Sequence, residues 1–117
     1  MSRVVDEVIE EALRELADEG RQRTLWRSTG RPEVSSFVEC TSRLWDDSGL
    51  ATALEQPGLV FDNQIDDGLR HLHTTLGRVD SMQAVDLLLV DTHLISARGM
   101  ARALLEDVRR FGHDAAT

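Results

Sequence analysis

The chain has 117 residues, 41% of them hydrophobic and 29% charged, with a formal net charge of −8. This length and balance fit one globular domain, residues 1–117, that buries a core without metal or disulfide staples; they exclude a disordered tail. The negative charge disfavours nucleic acid, whose phosphates repel it, and no apolar stretch approaches the roughly 20 residues that cross a bilayer.

Cys40 is the single cysteine and has no partner for an internal disulfide. Asp6, Glu7, Glu10 and Glu11 stand where a signal peptide needs a basic start. Together these predict a cytoplasmic protein. All 13 positions counted as lysine or arginine are arginine, which a GC-rich genome suffices to explain. The charge is uneven: residues 21–32 carry Arg21, Arg23, Arg27 and Arg31 with no acid, whereas residues 46–80 carry seven acids against Arg70 and Arg78.

A first helix is predicted from about Arg3 to Glu19. Ser2 is its expected cap, Val5, Ile9, Ala12 and Leu16 form its inner stripe with Val8 and Leu13 beside it, and Gly20 is its stop. Arg21 to Trp26 reads either as another helical turn or as a connector. Ser28 to Pro32 is a loop. A second helix follows, with Val34, Phe37, Val38, Thr41, Leu44 and Trp45 on one face, fading at Asp46 to Gly49. Leu50 to Glu55 allows a short extra helix before the Gln56-Pro57-Gly58 breaker, and Leu59 to Phe61 is expected to plug the core from a loop or to staple the start of the next helix. A third helix, capped by Asp62 or Asn63, carries the stripe Ile65, Leu69, Leu72, Leu76 and Val79.

The last helix is predicted from about Met82 to Phe111, entered through a capping-box spacing of Asp80 and Gln83. Its apolar residues Leu87, Val90, Leu94, Ala97, Ala101, Leu104, Val108 and Phe111 are spaced alternately three and four apart, the pattern of a seam against another helix. Thirty helical residues span roughly 45 Å at about 1.5 Å each, against a domain diameter of about 35 Å. The helix therefore overshoots its own domain unless it bends at Gly99. Residues 112–117 read as a frayed tail. The expected fold is all-α, a four-helix bundle with a long C-terminal helix.

The overshooting seam points to a homodimer in which Ala101, Leu104, Val108 and Phe111 self-associate. The basic stretch supplies the second candidate site: Arg23, Trp26, Arg27 and Arg31 combine residue types that dominate binding hot spots and suit a partner protein or an anion. The bland reading of that stretch pairs its arginines internally with Asp46, Asp47, Asp66 and Asp67.

Motifs for chemistry are sparse. Asp67 with His71, and Asp86 with His93, have spacings that share a helix face, but the Glu-x-x-His pattern of carboxylate-bridged metal sites is absent; no metal or cofactor is expected. Cys40 flanks an apolar face beside Glu39, which suits a buried small side chain rather than a nucleophile. Phosphate-loop, dinucleotide and Gly-x-Ser-x-Gly fingerprints are missing. The sequence thus favours a non-enzymatic protein acting through protein–protein contacts. Its alternative is a bundle that binds or transforms a small ligand in its interior, with Thr41, Thr92 or His93 lining a cavity beside Asp86.

Overall fold

The computed structural model describes residues 4–27 and 36–116, with side chains through 112. Ser2, Arg31 and the loop from Ser28 to Pro32 lie outside the described residues, as do the side chains beyond 112. The fold is all-α: α1 (Asp6–Ala17), α2 (Glu19–Arg27), α3 (Phe37–Ser42) running into a π-helical turn (Arg43–Asp47), α4 (Leu50–Glu55), α5 (Asn63–Leu76), α6 (Val85–Leu89) and α7 (Thr92–Ala116). No described helix is long and apolar enough to cross a membrane.

The amphipathic stripes decide the packing. Ile9, Ala12, Leu13 and Leu16 of α1 are buried, as are Ile65, Leu69, Leu72 and Leu76 of α5. Both helices lie against α7, which turns Leu94, Ala97, Ala101, Leu104 and Val108 towards them. One apolar cluster draws residues from every helix. Gly68 belongs to this contact. A Cβ placed there would stand 2.8 Å from Leu104 Cδ2, so the missing side chain lets α5 approach α7 closely.

Helix ends follow side-chain chemistry more than glycine. Gly20 does not stop α1; it lies inside α2. The break falls at Asp18, whose backbone is extended and whose carboxylate accepts from the Arg21 amide at 3.1 Å, starting a new helix on a new axis. Asp62 caps α5 by accepting from the Ile65 amide at 2.7 Å, and Phe61 beside it is buried edge-to-face on Phe111 while Leu59 stays exposed.

The predicted last helix is two helices. Asp91 Oδ1 accepts from the amides of His93 and Leu94, its Oδ2 accepts from Gln83, and α7 begins at Thr92. Asp80 caps only the local turn at Met82, and the short α6 stands apart. From Thr92 the helix continues unbroken through Gly99. Its 25 residues span roughly 37 Å at about 1.5 Å each, within the 40 Å long axis of the molecule. Starting ten residues later than predicted, α7 runs the length of its own domain and does not overshoot it.

Candidate functional site

The seam residues Ala101, Leu104 and Val108 are buried by α1 and α5 of the same chain, and Phe111 is half-buried on Phe61. A heptad spacing specifies a facing helix without saying which chain supplies it; here the chain supplies its own. Ala101, Leu104 and Val108 therefore offer no free surface for self-association. What the seam leaves outside is its head. Leu87 and Val90, on α6 and the turn after it, are 60% and 59% exposed.

Within the basic stretch Arg23, Trp26 and Arg27 also have partners inside the chain. Trp26 is buried and donates its indole N–H to Glu15 Oε2 at 2.8 Å. Arg23 pairs with Glu19 at 2.7 Å one turn back, and Arg27 bridges from α2 to Asp86 of α6. Arg23 and Arg27 thus pair internally, but with Glu19 and Asp86, not with Asp46, Asp47, Asp66 or Asp67. Arg23 holds the Glu19 carboxyl below its usual range by hydrogen bond and charge, with Arg98 adding to the effect.

Beneath this surface lies a polar network that apolar periodicity does not reveal. Gln22 is fully buried; its amide nitrogen donates to the carbonyls of Glu15 and Leu16, at the end of α1 where helical partners run out. Its Oε1 accepts from Arg98 Nε at 2.9 Å, while Arg98 Nη2 donates to the Leu89 carbonyl at 2.8 Å. Glu15 carries the network on to Arg43 at 2.7 Å. Burial lowers the Arg98 pKa, and the Glu19 carboxylate, 3.6 Å away, works against that shift. One signal for Arg98 was present: it lies four residues after Leu94 and three before Ala101, on the inner face.

Groups that might have carried chemistry are spent on structure. The Cys40 thiol is fully buried, donates to the Ala12 carbonyl, and has its pKa pushed up by burial and by neighbouring Glu15. Asp66, also fully buried, accepts from the Val60 and Phe61 amides at 2.8 and 2.9 Å and so fixes the loop into α5. Asp67 pairs with Arg70 rather than with His71. No group of three or more His, Cys, Asp or Glu side chains among the described residues is arranged to hold a metal. The interior cavity expected beside Asp86 does not form there: Thr92, His93 and Asp86 are exposed, and Thr41 bonds back to the Val38 carbonyl.

A pocket missed by the sequence reading lies between the π-helical turn, α4 and α5. It has a volume of about 300 Å³ and is lined by Trp45, Ala51, Leu54, Glu55, Arg70, His73 and Thr74. An unusual local fold places Trp45 there. The Ser48 amide donates to the Arg43 carbonyl, five residues back, and the Ser48 hydroxyl donates to the Leu44 carbonyl. Neither a protein-family model, a curated protein nor a solved structure matches the chain.

Proposed function

We propose that this protein is a non-enzymatic four-helix bundle, with α1, α3 and its π-helical continuation, α5 and α7 as its members, that acts through protein–protein contacts and self-associates. The interface in this reading is the shoulder formed by α6 and the first turn of α7, in place of the buried part of the seam. One observation carries it. Of the seven large apolar side chains exposed among the described residues, four fall within residues 82–95: Met82 at 90%, Leu87 at 60%, Val90 at 59% and Ile95 at 50%.

Each such side chain gains about 1.5–3 kcal/mol when fully buried, and clusters of them on a soluble surface mark contact sites. A second copy is the occupant that the rim suits. Asp86 adjoins Leu87 and is paired with Arg27, so the rim carries both signs of charge. Under a two-fold axis each copy can offer its arginine to the other's aspartate, the self-complementarity that an isologous dimer needs. The burial of Cys40 and the structural use of Glu15 and Asp66 support a binding role over catalysis.

Val90→Cys tests the interface. Cys40 is fully buried with a raised pKa, so the new thiol is the one that reacts. A short bifunctional thiol cross-linker is expected to trap Val90→Cys as a covalent dimer at least about tenfold faster than Leu59→Cys, whose thiol is equally exposed but outside the cluster. Equal rates would contradict the interface.

A further inference from the structure

A second apolar surface stands apart from the shoulder. It is a groove of about 380 Å³ between the start of α1 and the segment joining α4 to α5. Val4, Ala53, Pro57, Leu59 and Val60 line it, with Gln56 as its one polar side chain. Leu59 is 59% exposed, and Val5, next to Val4 in the chain, is 46% exposed. Apolar side chains left in water beside a concave surface mark a contact site.

Both walls of the groove are held from behind. The Val5 amide donates to the Ser48 carbonyl at 2.9 Å, tying the start of α1 to the residues before α4. On the other side the fully buried Asp66 carboxylate accepts from the Val60 and Phe61 amides at 2.8 and 2.9 Å. Gly58 supplies the turn between them with a φ of 96°, a conformation that favours glycine. A groove already in shape spares its partner the entropic cost of ordering it.

The rim carries one sign of charge. From Leu44 to Leu69 the sequence has Asp46, Asp47, Glu55, Asp62, Asp66 and Asp67 and no lysine, arginine or histidine. Asp62 caps α5, Asp66 holds the loop and Asp67 pairs with Arg70. Asp46, Asp47 and Glu55 are exposed and have no ion pair among the described residues, and the same is true of Asp6 and Glu7 in the first turn of α1. Glu55 adjoins Gln56, Asp6 and Glu7 follow Val5, and the bond from Val5 to Ser48 brings Asp46 and Asp47 to the same end of α1. Carboxylates without counter-charges around an apolar groove attract a cationic partner and repel an anionic one. A second copy is ill suited to this face, because pairing it with itself sets acid against acid, whereas the shoulder rim carries both signs.

We propose that this groove docks a basic segment of another protein. An apolar side chain of that segment sits among Val4, Pro57 and Leu59, and arginines or lysines on either side of it face the carboxylates. This gives a protein that acts through contacts a partner of defined chemistry, and it requires no self-association.

The test uses the full-length protein and a fluorescently labelled, C-terminally amidated hexapeptide of two leucines between two pairs of arginines, followed by fluorescence anisotropy at physiological salt. Binding is expected with a Kd of about 50 μM. Leu59→Ser is expected to weaken it about tenfold, and the double variant Asp47→Asn, Glu55→Gln about threefold or more. All three positions are exposed, so circular dichroism should be unchanged. Replacing the leucines of the probe with serine, or its arginines with glutamine, is expected to weaken binding about tenfold in each case. The proposal is overturned if the peptide does not bind by ~1 mM, or if either variant keeps the wild-type affinity. Equal binding of the serine peptide would leave only diffuse attraction between opposite charges, and equal binding of the glutamine peptide would leave an apolar site without charge selection; each overturns it. A wild-type dimer whose mass falls to that of one chain in Leu59→Ser would put a second copy on the groove and overturn it equally.

Discussion

Arg98→Met removes the residue that ties α7 to α2 and α6, and its cost can be worked from the contacts. Arg98 is 7% exposed; it donates to Gln22 Oε1 at 2.9 Å and to the Leu89 carbonyl at 2.8 Å. Methionine fills much of the same space with apolar atoms, but both acceptors lose their donor, and Gln22 is fully buried. Each buried acceptor left unpaired costs about 1–3 kcal/mol, or about 2–6 for the two. Against this stands the desolvation of the guanidinium, which the substitution relieves and which already lowers the Arg98 pKa. The net expectation is a loss of about 3 kcal/mol, a large share of the ~5–15 kcal/mol that stabilises a domain. Urea unfolding followed by far-UV circular dichroism, extrapolated linearly to water, measures it. Gln22→Leu and the double variant complete a cycle, with an expected coupling of about 1–2 kcal/mol because the two side chains share a hydrogen bond. A change within about 0.5 kcal/mol for Arg98→Met, or strict additivity in the cycle, would refute the assignment of this network as a structural tie.

Leu104→Glu places a charge against α5 in the core of the chain, so helicity itself should collapse, with a cost above about 4 kcal/mol. A variant that kept its circular dichroism and lost only oligomeric mass would return Leu104 to a subunit boundary. Trp26→Phe and Trp45→Phe make the same chemical change with different partners. The first breaks a bond to the Glu15 carboxylate and the second breaks none, so Trp26→Phe should cost about 1.5–3 kcal/mol more in urea unfolding. Asp91→Ala removes the α7 cap and should cost about 1 kcal/mol at neutral pH. The hydrogen bond from Gln83 and those from the His93 and Leu94 amides hold the Asp91 carboxyl below the 3.8 of an unperturbed aspartate. Its stabilisation is therefore complete above pH 3.8 and is lost as pH falls through the lower folded value, so wild type and variant should converge in acid. A gap that widened on acidification would reverse the sign.

Apolar spacing carried most of the fold. The predicted stripe from Ile65 to Val79 is buried throughout, although α5 ends at Leu76 and Val79 lies in the turn after it, the Asp62 cap forms as its position implies, and α4 occupies Leu50–Glu55. Failures cluster where polar side chains redirect a helix or act inside the protein. Asp18 and Asp91 each end one helical direction and start another, yet both stand inside long helix-compatible stretches, and a periodicity argument runs through them. Gln22, Glu15 and Arg98 occupy inward positions that a reading built on apolar residues assigns to water. The Trp45 pocket was hidden for a related reason. A π-helical turn shifts residues off the 3.6 period, so no regular spacing announces the pocket below it. As for the seam, spacing fixes that a helix is faced but not which one, and α1 and α5 take that place up to Val108.

Absolute mass by light scattering behind a sizing column tests the central claim most directly, applied to the wild-type protein and to the double variant Leu87→Asp, Val90→Asp. Both positions are exposed, so the aspartates leave the fold intact. The shoulder interface predicts a wild-type mass of twice 13.1 kDa that falls to 13.1 kDa in the variant with unchanged circular dichroism. A wild-type mass of 13.1 kDa, or a dimer indifferent to both substitutions, would contradict it.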